Sequence, residues 1–449
     1  MKKDPYVISA DTVKEPPASF IGKIKFLGPG FILSASIVGS GELIATTVLG
    51  AKAGFAALWI IIVSCLVKVA VQLEFGRHTI LTGETVMQAF NKLPGPQLRQ
   101  GRWTVWIIFF FVSLKIVQLG GMVGGTVIIL NKLFDGFSIT TWALIVAIAV
   151  AALIFRGNYS IVEKGSLLMI GMFTILTLTS LYFVQFTAYA FSFADVFAGL
   201  QFNLSNEVMG VAIGAFGITG VASDEIIAYN YWCLEKGYAA YTGPRENSEA
   251  WKTRAKGWIT TMQFDAMVAM IIYTLVTVSF YLLGSAILYS RGEVPQGNEV
   301  IDTLAFIYTE SLGAGVKNVY LVGAFFVLFS SVYATLAFWT RLFPDIFGQL
   351  GWIDFFNITQ RKKLIAVLAW TFPFVWVFMY LFIELPVLMV LSGGVIGSLM
   401  LFIVVYGAYH FKYTRTQIIP SGKFYTIAFW ISVISIFAVG VYGVIQVFF

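Results

Sequence analysis

Eleven apolar runs, each long enough to cross a bilayer, divide this chain of 449 residues. They fall at residues 28–50, 54–77, 103–130, 140–156, 163–187, 206–230, 258–289, 317–341, 363–383, 386–408 and 424–448. A spanning helix needs about 20 mostly apolar residues, with a range of about 17–25. In lipid every backbone N–H and C=O must be bonded within the protein, so such runs fold as helices. The chain therefore reads as an all-α membrane protein. Hydrophobic residues make up 58% of it and charged residues only 12%, against about 25% charged in a soluble domain. A soluble enzyme, a nucleic-acid-binding protein and a disordered chain are excluded. The net charge of +6 does not reopen the nucleic-acid reading, because Lys and Arg collect in cytoplasmic loops.

That same bias orients the chain. With the N-terminus inside, 23 of the 29 Lys and Arg fall on inner segments and 4 on outer ones. Lys68 and Lys115 lie within spans. This places the protein in the inner or plasma membrane as a multi-pass protein with its N-terminus cytoplasmic and its C-terminus extracytoplasmic. Residues 1–25 lack a signal-peptide core and are expected to form a flexible cytoplasmic tail. Residues 26–449 then form a single transporter domain. Cys65 and Cys233 make no disulfide framework and read as packing residues. His78 and His410 stand where apolar runs end and read as interfacial.

Two spans are interrupted. The first reads Gly39-Ser40-Gly41-Glu42, and the sixth reads Gly217-Ile218-Thr219-Gly220 followed by Asp224-Glu225. Glycine weakens a helix by about 1 kcal/mol per residue relative to alanine. Unwound backbone at membrane depth occurs only where it lines a cavity or is buried in protein. Spans one and six are corresponding members of two five-helix halves, 28–187 and 206–408, with 424–448 as an extra helix. That is the pattern of an inverted-repeat transporter whose broken helices meet at a central site. The bland alternative is close helix packing through small residues, which leaves the neighbouring acids unexplained.

Leu27-Gly28-Pro29-Gly30-Phe31, Ala51-Lys52-Ala53-Gly54-Phe55, Leu58-Trp59, Gln72, Leu81-Thr82-Gly83 and Leu130-Asn131-Lys132-Leu133-Phe134 carry a resemblance. Across these segments the chain resembles the Nramp family of proton-coupled divalent-metal transporters. The resemblance implies a LeuT-like fold of 5+5 inverted repeats with helices 1 and 6 broken. The functional motifs depart from it. The family's Asp-Pro-Gly-Asn is replaced by Gly39-Ser40-Gly41-Glu42. Its Met-Pro-His-Asn run falls on Ile218-Thr219-Gly220-Val221. Its proton-relay positions fall near Leu119 and Met122, where the nearest charge is Lys115.

Glu42 is the leading site candidate. An acid at mid-membrane costs at least about 2.5–3.5 kcal/mol on insertion scales, and so should face a partner or a wet cavity. The alternative is an internal ion pair with Lys68 or Lys115. Substrate contacts are expected at Gly39, Ser40, Gly41, Glu42, Gly217, Ile218, Thr219 and Gly220, with Glu42 and Thr219 as metal ligands. Asp224, Glu225, Lys68 and Lys115 are candidates for a vestibule or proton path. A helix end with Asp224 and Glu225 paired to Lys236 or Arg254 is equally open. The aromatic stretch 229–238 reads as interfacial, and 231–257 as a cytoplasmic loop with a surface helix. Without the family's Met, the site is all oxygen and suits a hard divalent cation such as Mg²⁺ or Mn²⁺, with weak or altered proton coupling. The rival substrate is a small amino or carboxylic acid whose carboxylate rests on the Gly39-Ser40-Gly41 backbone. No cofactor, nucleotide or nucleic acid is expected, no catalytic set is present, and the chain reads as a monomer in the lipid bilayer.

Overall fold

The structure, a computed structural model, describes residues 4–39, 41–134, 136–157, 159–415 and 417–448. A helix or helix pair stands at each expected span. Among the described residues, eight stretches are long and apolar enough to cross a membrane, the first joining spans one and two as Gly41–Thr82, and shorter apolar helices occupy Ile139–Ile154 and Gly171–Phe186. Span one is split into helix Pro29–Ile37 and, after the break, a wide π-type segment Gly41–Thr46 leading into helix Thr47–Ala53. Span six is split into Asn206–Ile218 and Ser223–Lys236. The two interruptions that the glycines announce are both present.

Spans two and three carry smaller irregularities, and each falls on a lysine. Lys68 separates helices Leu58–Val67 and Val69–Thr82, and Lys115 separates Trp103–Leu114 and Ile116–Leu133. Span seven, Glu249–Leu283, begins nine residues before its apolar run, with Ser248 Oγ accepting from Trp251 N. Span eight, Lys317–Gln349, outruns its apolar run at the other end. A helix at Val300–Leu312, between spans seven and eight, was not expected from the hydrophobic pattern.

Three local readings are corrected. The tail is not loose over its described residues. Asp4 pairs with Arg361 at 2.8 Å, Tyr6 Oη donates to Glu235 at 2.6 Å, and Trp258 Nε1 donates to Lys14 O at 2.9 Å. Polar composition concealed this, because the partners lie on three distant segments. The stretch 229–238 is not interfacial: Tyr229, Tyr231, Trp232 and Tyr238 are fully or almost fully buried in the second half of span six and the turn after it. The loop after it is correspondingly short. His78 is buried too, stacked on Phe411 at 4.2 Å.

The half-helix Pro29–Ile37 is fastened at its start. Asp265 of span seven accepts from Gly28 N at 2.8 Å and from Gly30 N at 2.6 Å, placing a carboxylate on the positive end of the helix. Lys236 donates to Leu27 O at 2.7 Å and pairs with Glu163 of span five at 2.6 Å. The half-helix Asn206–Ile218 instead packs backbone to backbone on span ten, Pro386–His410. A Cβ on Gly217 would collide with the Gly394 carbonyl, and one on Gly394 with the Gly214 carbonyl. Small residues on both helices permit this approach.

A Gly217→Ala substitution should therefore force the two helices apart and destabilise the protein by about 1–3 kcal/mol, as overpacking does. Gly210→Ala on the same half-helix meets nothing within 4 Å and should leave stability unchanged or slightly raised. Thermal unfolding of both variants in one detergent checks the contrast.

Candidate transport site between the broken spans

The break in span six is extended backbone. Thr219 and Ala222 are in β conformation, and between them Gly220 has φ +59°. A Cβ on Gly220 would lie 2.8 Å from Cys65 Cα, so both the positive φ and the close approach of span two require glycine. The break in span one lies alongside: a Cβ on Gly41 would stand 3.0 Å from Ile218 O. Gly39 packs on Ser331 of span eight, and its N–H donates to Ile37 O at 2.7 Å. Ser40 lies outside the described residues.

The polar ends freed by the break are bonded by side chains from other spans. Lys68 Nζ donates to Phe216 O at 2.7 Å and Thr219 O at 2.6 Å. Ser64 Oγ bonds the same two oxygens at 3.1 and 3.0 Å, and Thr219 Oγ1 donates to Ser64 Oγ. On the amide side, Gly220 N donates to Glu42 Oε1 at 3.2 Å, and Thr277 Oγ1 donates to the same oxygen at 3.1 Å. Glu42 is fully buried, and its Oε2 has no hydrogen-bond partner among the described residues. Glu42 does not pair with Lys68 or Lys115: Lys68 is spent on carbonyls, and Lys115 pairs with Asp224 at 2.9 Å.

A small cavity of about 30 Å³ lies in front of the breaks. Span one contributes Ser36, Ile37 and Gly41, and span six contributes Ile218, Ala222, Asp224 and Glu225. Thr335 closes it from span eight. Span three supplies Lys115, Gln118, Leu119 and Met122, a stripe at the helical i, i+3, i+4, i+7 spacing. A second, smaller cavity of about 10 Å³ shares Ser36, Asp224, Glu225 and Thr335 and reaches Trp232 and Phe338, toward the end of the molecule that holds Lys236. Glu225 Oε1 accepts from Ser36 Oγ at 2.9 Å, while Glu225 Oε2 and Gln118 Oε1 are buried without partners among the described residues.

Of the residues expected at the site, Gly41, Ile218, Lys115, Asp224 and Glu225 line the cavity. Gly39, Glu42, Lys68, Gly217, Thr219 and Gly220 are not part of its lining. Neither Asp224 nor Glu225 meets the alternative partners: Lys236 is with Glu163, and Arg254 donates to Thr242 O at 2.8 Å and stands 3.9 Å from Glu15. Gln118, Thr335 and Ser36 were missed. The stripe containing Lys115 pointed to Gln118, but no local signal marked Ser36 or Thr335. Met122, a residue with a sulfur-bearing side chain, is also among the lining residues. Spacing along span six could not reveal a sulfur arriving from span three.

Removing one member of a buried ion pair strands the other. Lys115→Met should lower stability by about 3 kcal/mol, the low end for a broken buried pair, because Asp224 keeps some exposure to the cavity. Adding Asp224→Leu to that variant should restore most of the loss. Denaturation of the wild type, both single variants and the double variant checks this as a double-mutant cycle.

Residues 30–446 match the family described as natural resistance-associated macrophage protein-like, Nramp. An uncharacterized protein of Pasteurella multocida is 24% identical over 327 residues, covering 71% of this chain and 70% of its own length. The divalent metal cation transporter MntH of Bradyrhizobium diazoefficiens is 23% identical, covering 70% of this chain and 66% of its own. A mutant of the Eremococcus coleocola manganese transporter superposes with a TM-score of 0.70 at 14% identity, over 97% of this chain and 90% of that one. The structure of MhsT in complex with L-phenylalanine reaches 0.54 at 12% identity, over 97% and 100%. Likeness to both neighbours shows the LeuT-like fold for this chain. With a match across almost its entire length, the chain belongs to the Nramp family of integral membrane transporters, which are not enzymes.

Proposed function

We propose that this protein is a gradient-driven transporter of a divalent metal cation, held in the cavity between the breaks. One observation carries the reading. Glu225 Oε2 and Gln118 Oε1 are two buried acceptor oxygens without partners among the described residues, and both residues line one cavity. Each unpaired buried acceptor costs about 1–3 kcal/mol, and a cation with its water shell offers positive charge and donors together. Lys115 neutralises Asp224, so Glu225 is the carboxylate left to attract the ion. Family membership supports a metal cargo, and relatives bear the names of divalent metal cation and manganese transporters. The structural neighbour named as a manganese transporter makes Mn²⁺ the ion to try first. Glu42 and Thr219 serve the break rather than the ion, because their described bonds go to the backbone of span six and to Ser64 and Thr277.

The alternative cargo, a small amino or carboxylic acid, would rest its carboxylate on the Gly39–Gly41 backbone. The Gly39 amide is already donating to Ile37 O, which favours the metal. The bias of basic residues supports an N-terminus inside. Proton coupling is weak in this reading, because the charge that span three contributes is held in the Lys115–Asp224 pair.

The test is uptake into proteoliposomes. Glu225→Gln should reduce Mn²⁺ uptake at least tenfold, since a charge-assisted contact is worth about 1.5–3 kcal/mol and each 1.4 kcal/mol is a factor of ten. Glu42→Gln keeps a carbonyl oxygen for Gly220 N and Thr277 and should reduce it less. Stabilisation of the wild type by an amino acid, with no response to Mn²⁺ or Mg²⁺, would overturn the metal reading. A pH dye inside the same vesicles should record little acidification while Mn²⁺ enters. Stoichiometric proton flux would refute weak coupling.

A further inference from the structure

A half-helix that stops at mid-membrane leaves its last carbonyls without intrahelical donors, and their partial negative charge attracts cations. In broken-helix transporters such carbonyl ends are where a coupling ion binds. At the end of Asn206–Ile218 the cation is a side chain. Phe216 O and Thr219 O converge on Lys68 Nζ at 2.7 and 2.6 Å, and the Phe216 ring lies 4.9 Å from the ammonium. Ser64 Oγ bonds the same two oxygens. Lys68 is fully buried and makes no ion pair among the described residues.

Packing alone does not account for this arrangement. An ammonium is a compact point charge with three donors, strongly hydrated, and burying one without an acid beside it is costly. Here backbone dipoles and a hydroxyl replace its water. Two carbonyls, a hydroxyl and an aromatic face make up a shell that would equally suit a small monovalent cation. The negative counterpart is on the other side of the same strand, where Glu42 accepts from Gly220 N.

We propose that Lys68 is a tethered cation. It permanently fills a monovalent-cation site formed by Phe216 O, Thr219 O and Ser64, so this break takes no Na⁺ or K⁺ from solution and does not couple transport to their gradients. The inference is independent of the cargo, because its test reads unfolding and not uptake.

The full-length wild type, Lys68→Ala and Lys68→Met would be unfolded by heat in choline chloride, NaCl, KCl, NH₄Cl and methylammonium chloride. Wild type should unfold at one temperature in all five. Lys68→Ala opens a space at the carbonyls. It should lose stability in choline and regain about half or more of the loss, saturably, in at least one small-cation salt, as a ligand that binds only the folded state does. Lys68→Met fills the space without charge and should stay destabilised in every salt. Should Lys68→Ala yield folded protein only when purified with methylammonium or ammonium, that also supports the proposal. Equal destabilisation of Lys68→Ala in all salts, failure to fold in any of them, or a Lys68→Met protein as stable as wild type would each overturn it.

Discussion

The structure depends on a few hydrogen bonds made to unwound backbone. Between Ile218 and Ser223 the chain runs extended at membrane depth, where no water bonds to its carbonyls and amides. The open strand is kept by what reaches it from outside the span. Lys68 and Ser64 of span two serve the carbonyls, and Glu42 of span one serves the Gly220 amide. The strand is thus held between an ammonium on one edge and a carboxylate on the other. Spans one, two and six become one unit at this point, and Thr277 ties span seven to it.

This division of labour separates holding charges from working ones. Glu42 and Lys68 are deeply buried, and their described bonds are spent on the break. Lys115 and Asp224 neutralise each other across the cavity. Glu225 remains as an acid lining the cavity, with one oxygen bonded to Ser36 and the other unpartnered among the described residues. The half-helices differ in how they are attached. Pro29–Ile37 is held at its start by Asp265 and the Lys236–Glu163 pair, whereas Asn206–Ile218 is locked to span ten by glycine contacts.

How much of this was legible beforehand varies with the physical origin of the feature. The spans were legible because bilayer thickness demands apolar runs of a minimum length. The breaks were legible because Gly39, Gly41, Gly217 and Gly220 stand inside those runs, where glycine is unfavourable. The importance of Glu42, Lys68 and Lys115 was legible because a charge at membrane depth always needs an explanation. Their partners were not. Lys68 goes to carbonyls, which carry no letter in a sequence. Lys115 goes to Asp224, more than a hundred positions away. The tail misled for the same reason: Asp4 and Tyr6 look solvated until Arg361 and Glu235 are placed beside them.

The sequence by itself determined the membrane class, the number and places of the spans, and where the helices must break. Those properties follow from transfer free energy and backbone propensity, which act over short stretches of chain. Tertiary structure alone decided which charges hold the break and which face the cavity. It alone brought Gln118, Met122 and Thr335 to the residues of span six. Desolvation and hydrogen bonding depend on what surrounds a group in space, and helices far apart in the chain supply those surroundings.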